Sequence, residues 1–106
     1  MDMALNKTVA DQLRQIADLL EQQGANPFRV QAYYKAAATV ASMPEPIQNI
    51  VENQGIEGLI ALPTIGSGIA RSIYEIVATG RASRLDNLRG ELDPERLLQT
   101  VPGIGR

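Results

Sequence analysis

Apolar residues recur along this chain at the three- and four-residue spacing of helices, and no stretch alternates as a strand face would. Val9, Leu13, Ile16, Leu19 and Leu20 define a first helix over about 6–23, with Asn6 as its expected N-cap and Gly24 just past its end. Asn26-Pro27 opens a second, a capping residue followed by Pro at the first helical position. Its expected apolar side is Phe28, Ala32, Tyr33, Ala36, Ala37 and Val40, and so much Ala predicts close helix packing. Pro44 and Pro46 end that helix and open a third, carrying Ile47, Ile50 and Val51 and stopped by Gly55. A short segment, Ile56 to Ala61, precedes a turn. Ser67 to Thr79 forms the next helix, with Ile69, Ile73, Ile76 and Val77 inward and Gly80 as its stop. Ser83 to Arg89 is a further short helix, and Asp93-Pro94 caps a last one bearing Leu97, Leu98 and Val101. The expected fold is all-α, a compact bundle of short helices.

Composition narrows the chemistry. The 106 residues include no Cys and no His, so disulfides, thiolate zinc sites and the commonest general base are excluded. No apolar run reaches the length of a membrane span, and no signal-peptide pattern opens the chain; a cytoplasmic protein, nucleoid-associated if bacterial, is the expectation. The net charge is −2, against a broad basic surface. The charge is uneven. Within 58–90, Arg71, Arg81, Arg84 and Arg89 outnumber Glu75 and Asp86, whereas the flanking stretches are both net acidic.

That locally basic stretch holds the most informative motif. Leu62-Pro63-Thr64-Ile65-Gly66 aligns with Val101-Pro102-Gly103-Ile104-Gly105, an internal repeat. A Gly-rich turn between apolar helical segments, with the small Ala70 following, is the pattern of a helix-hairpin-helix at 56–79. Such a turn offers unpaired N–H groups and the positive end of a helix to one phosphate, without reading bases. The candidate phosphate-binding positions are Thr64, Gly66, Gly68 and Ile69, joined by Gly103 and Gly105 in the second copy. Gly66 and Gly68 are expected to supply the turn, Ile65 to plug it into the core, and Thr64 to restrict close approach. Carbonyls of Ile60, Leu62 and Ile65 are candidates to converge on a monovalent cation, Na or K; Gln99, Val101 and Ile104 are their lesser counterparts. No cofactor is required. The second copy reaches Arg106 without its following helix, so residues 1–90 are expected to form one helical domain and 91–106 the start of a second motif.

The match extends beyond the hairpin. Asn6-Lys7, a Leu/Ile helix, Gly24-Ala25-Asn26-Pro27-Phe28-Arg29-Val30-Gln31-Ala32-Tyr33, Lys35-Ala36-Ala37, the hairpin and Ala78-Thr79-Gly80 follow in order. The combination resembles the amino-terminal domain of family-X DNA polymerases, typified by DNA polymerase beta and the bacterial polymerase X enzymes. The resemblance implies a helical bundle that binds the 5′-phosphate side of gapped or nicked DNA in repair. It places Arg29 and Tyr33 on phosphate-contacting positions, one helical turn apart. In several members a Lys after the hairpin acts as a lyase nucleophile through a Schiff base. Here that position is Ser72 and the neighbouring phosphate-binding Lys is Gly68. A Ser hydroxyl cannot form a Schiff base, so no lyase activity is expected of this chain. The two lysines present, Lys7 and Lys35, lie in other helices.

Arg71 is a candidate replacement charge for the missing lysines, against an alternative i,i+4 pair with Glu75. The carboxylates and sheet domain of a polymerase active site are absent from these residues, although a longer parent chain could carry them. Two functions follow. One is a sequence-independent DNA-binding module. The other is a protein–protein interaction module, or homodimer, that kept the fold and gave up DNA; the acidic balance, Thr64, Gly68 and Ser72 favour it, and an exposed apolar patch near Leu97, Leu98 and Ile104 would support it.

Overall fold

The computed structural model describes residues 3–92, which form five helices in this order: α1 (Ala4–Gln22), α2 (Pro27–Ala41), α3 (Ile47–Ile60), α4 (Ser67–Thr79) and α5 (Ser83–Leu92). No strand occurs among the described residues, as the periodicity predicts. The expected last helix and the second hairpin copy lie outside them.

α1 is the central column. Its strong amphipathicity buries Val9, Leu13, Ile16, Ala17 and Leu20, and it packs against each of the other four helices. The largest contact is with α2, joined by a tight link in which Ala25 N–H donates to Leu20 C=O. α2 begins as its sequence predicts: Asn26 Oδ1 accepts from Phe28 N–H at 2.8 Å, and Pro27 occupies the first turn. Ala36 and Ala37 have no exposed surface, so the α1–α2 pair packs closely through them.

Asn6 does something other than cap its own helix. α1 starts earlier, at Ala4, with Met3 in the cap position and no side-chain cap bond. Asn6 sits one turn inside, only 3% exposed. Its Nδ2 donates to Glu45 C=O at 2.9 Å, and its Oδ1 accepts from Ile47 N–H at 2.7 Å. It therefore caps α3, whose own cap residue is Pro46 and has no side-chain acceptor. Gln12, further along the same helix, acts in the same way. Its Nε2 donates to Gly80 C=O at 2.8 Å and its Oε1 accepts from Ala82 N–H at 2.9 Å, tying the α4–α5 link to α1.

Phe28 also departs from the periodic pattern. It lies on the expected apolar side of α2, in the first turn, and is 86% exposed. α3 bends where its sequence predicts an end. Gly55 takes φ +66, ψ −152, a conformation essentially reserved for Gly, and the chain continues in a new direction as a short helical segment into the hairpin. Close to the bend, a Cβ on Gly58 would stand 2.8 Å from Ile50 Cγ2 and 2.5 Å from Gln54 Cβ, so the two arms of α3 meet too tightly for a side chain.

On the outer side of the α1–α2 pair, Tyr34 donates its hydroxyl to Asp18 Oδ1. That bond to a carboxylate, then desolvation and the charges of Asp18 and Glu21, push the Tyr34 pKa from 10.0 up to about 12. The raised value means that the fold prefers the neutral phenol. The stabilisation is complete below pH 10 and is lost as pH rises toward 12.

Two outcomes follow from these contacts. Asn6→Leu strands a buried N–H and a carbonyl and should cost about 2–3 kcal/mol, lowering Tm by roughly 10–20 °C, whereas Asn6→Asp keeps the acceptor for Ile47 and should lose less; thermal melts followed by circular dichroism compare them. Asp18→Asn should return one tyrosine ionisation step, read by ultraviolet absorbance, from about 12 toward 10.

Candidate functional site

The hairpin joins the second arm of α3 to α4, and its conformation follows from one buried anchor. Ile65, 4% exposed, inserts into the core as the sequence predicts, with Leu62 half-buried beside it. Pro63, Thr64, Gly66, Ser67 and Gly68 remain exposed. Fixing the loop at its single buried residue presents the others as a rim at the head of α4.

The hydrogen-bond inventory of that rim decides what it can do. Ile65 N–H reaches Leu62 C=O at 3.4 Å, and the first regular helical bond is Ala70 N–H to Gly66 C=O at 2.9 Å. Between them, the amides of Gly66, Ser67, Gly68 and Ile69 find no acceptor among the described residues. Gly66 stands at the cap position with no side chain to offer, and the first turn of α4 contains no acidic residue. The orphan donors and the positive end of the helix dipole are thus neither paired nor offset by a neighbouring carboxylate. Apart from the adjoining backbone, nothing lies within 4 Å of the place where a Cβ on Gly66 or Gly68 would stand, so the surface is open at both positions.

The turn geometry differs from expectation in one respect. Gly66 and Gly68 do not supply the positive φ. Gly66 is extended at φ −90, ψ 179, and Gly68 lies within α4. The left-handed residue is Thr64, at φ +69, and no other described non-Gly residue has positive φ. This conformation costs a β-branched residue about 1–2 kcal/mol, because its Cβ crowds the neighbouring backbone. Thr64 Oγ1 lies 2.8 Å from Thr39 Oγ1 on α2. Neither the strain nor the Thr39 contact is legible in the sequence, since a local pattern does not show that Thr39 meets a residue 25 positions away.

The other candidate residues divide by exposure. Arg71, one turn into α4, is exposed and has no hydrogen bond or ion pair among the described residues. The alternative pair with Glu75 does not form, because Glu75 Oε1 accepts from Ser83 N–H and Ser83 Oγ at 2.9 and 3.1 Å. Arg29 is exposed on the first turn of α2, beside the exposed Phe28, and likewise has no ion pair among the described residues. Tyr33, one turn further, is 5% exposed and belongs to the core, so its ring face is not available for stacking; the exposed aromatic of this region is Phe28, which the periodic pattern places inward. Ser72 is 8% exposed against the core. Lys35 is exposed on α2. Thr39 links the far end of α2 to the hairpin, and Arg29 lies ten residues before it, about 15 Å along the helix axis.

For a cation, the carbonyls of Ile60 and Ile65 accept no backbone bond in the loop, and that of Leu62 accepts only the long one from Ile65. No cluster of acidic side chains suited to a metal occurs among the described residues, so carbonyl oxygens are what the hairpin has to offer. Gln99, Val101, Gly103, Ile104 and Gly105 fall outside the described residues. No helix among those described is long and apolar enough to cross a membrane.

The comparisons with known proteins agree with this geometry. Residues 4–82 match the family model of the helix-hairpin-helix domain, which covers α1 to the link before α5. Over 101 residues the chain is 33% identical to the DNA polymerase/3′-5′ exonuclease PolX of Bacillus subtilis (strain 168). That alignment takes in 93% of this chain but 16% of the relative, so the chain spans a small fraction of that protein's length. The chain belongs to the helix-hairpin-helix domain family, in the form of the amino-terminal domain of family-X DNA polymerases.

Proposed function

We propose that this chain is a sequence-independent DNA-binding module, and that its preferred substrate is gapped or nicked DNA carrying a 5′-phosphate in DNA repair. The observation that carries the reading is the group of amides at Gly66, Ser67, Gly68 and Ile69 without an acceptor among the described residues, at the head of α4 where Gly66, Ser67 and Gly68 are exposed. Non-bridging phosphate oxygens accept from these donors, and the helix dipole favours the anion. Such contacts position the module without reading bases.

Arg71 is the nearest unpaired cation along the same helix and adds charge-assisted bonds to phosphate. Arg29 holds a second phosphate, and Phe28 offers an exposed ring face on which a base or sugar stacks. Tyr33 contributes its hydroxyl edge at most, since its ring is packed. A monovalent cation, Na or K, on the carbonyls of Ile60, Leu62 and Ile65 would offset phosphate charge from the opposite side of the turn. No polymerase domain is evident in this chain, which spans 16% of the relative. Ser72 lacks the amine a Schiff base needs, which argues against lyase chemistry here.

With about 2–4 phosphates engaged, affinity for a 5′-phosphorylated gap should fall roughly ten- to hundredfold between about 50 and 200 mM salt, and Arg29→Ala should reduce the slope by about one. Fluorescence anisotropy on duplex, gapped and phosphorylated-gap DNA measures both; no binding to any of the three at low salt would instead favour the protein-interaction module. Borohydride treatment on an incised abasic substrate should trap no adduct, and a covalent adduct on Lys35 or the N-terminal amine would overturn the expectation that this chain has no lyase activity.

A further inference from the structure

Thr64 is the one described non-Gly residue with positive φ, and it is β-branched, the residue class least suited to that conformation. In the internal repeat the equivalent position is Gly103. A strained residue persists where its surroundings over-determine it. The surroundings here supply one specific polar contact, Thr64 Oγ1 to Thr39 Oγ1 at 2.8 Å. Thr39 is the only hydroxyl in the run Lys35-Ala36-Ala37-Ala38-Thr39-Val40-Ala41, and it is half-buried where α2 passes the hairpin. On the other side of Thr64, Ile65 is locked in the core.

We infer that the Thr39–Thr64 hydroxyl pair is a latch that holds the hairpin in its anion-binding shape, with Thr39 as a positioning residue for a site it does not touch. The inference rests on the phosphate-binding reading of the hairpin amides. Glycine at position 64 would adopt φ +69 at no steric cost and would need no latch. Threonine relaxes toward negative φ once the bond is lost. The Pro63–Thr64 peptide then peels from α2 or drags on Ile65, and the amides at Gly66–Ile69 no longer converge. Only the fraction of molecules with a formed hairpin binds, so apparent affinity falls by that fraction.

The test is a double-mutant cycle read by binding to phosphorylated-gap DNA. Thr39→Val should weaken binding roughly three- to fivefold in the Thr64 background, about the equilibrium worth of one exposed hydrogen bond, and should have no effect in the Thr64→Gly background. Thr39→Ser, which keeps the hydroxyl, should restore affinity. An equal loss in both backgrounds would make Thr39 a packing residue and overturn the latch, as would no loss in either. In parallel, the amide-to-Hα coupling and carbon shifts of Thr64 in NMR report its φ without any DNA. If the wild-type chain binds no DNA, the phosphate reading falls while the coupling still decides the latch: a Thr64 signature changed by Thr39→Val upholds it, and an unchanged one overturns it.

Discussion

A helix buried on most of its circumference can hold other helices by apolar contact, but it cannot hold their ends, because loop amides and carbonyls need polar partners. This bundle meets that constraint with two carboxamides on α1. Asn6 satisfies the entry to α3 and Gln12 the passage from α4 to α5. Each bridges an acceptor and a donor of the same loop, so each specifies position and direction at once. Apolar packing alone would tolerate sliding of these loops along α1; a paired donor and acceptor with a buried surround does not. The register of α3 and α4 against α1, and therefore the place of the hairpin between them, depends on those four bonds.

The hairpin inverts the same logic. Three other helix heads are closed by side chains: Asn26 caps α2, Asn6 caps α3 from a distance, and Glu75 accepts from the backbone and hydroxyl of Ser83 at the head of α5. The head of α4 is left with four amides that find no acceptor among the described residues, three of them on the exposed Gly66, Ser67 and Gly68. Water can solvate them, so the cost to the fold is small, but they keep their full capacity for an incoming anion. The engagement of Glu75 at α5 has a second effect, since it leaves Arg71 without its helical ion-pair partner on the same side of the molecule. A chain of net charge −2 thereby retains a local place where negative charge is welcome.

Thr64 shows how a substitution that breaks a local rule is carried by tertiary contacts. Glycine suits the left-handed position, and the second copy of the repeat has it. The threonine costs strain in the turn but gains a partner across the interface with α2. Rigidity of the turn is then shared between two elements instead of residing in backbone freedom alone.

The helical periodicity was sufficient to place the helices, since burial of an apolar stripe is a local property of spacing; the α2 cap, the stop at Gly80 and the buried anchor Ile65 were legible for the same reason. The hairpin, too, was written in residues adjacent along the chain. What the sequence could not determine was every pairing between distant positions. Asn6 has the look of an N-cap, and only the approach of residues 45–47 makes it the cap of another helix. Phe28 follows the apolar period, yet it is exposed in the first turn of α2, whereas Tyr33 further along is enclosed. The positive φ falls on Thr64 and not on the glycines around it because the fixed positions of Ile65 and α2 bend the chain there. Spacing dictates which face is buried; how far each helix reaches, and which polar groups meet across the gaps, is settled only when the helices are packed together.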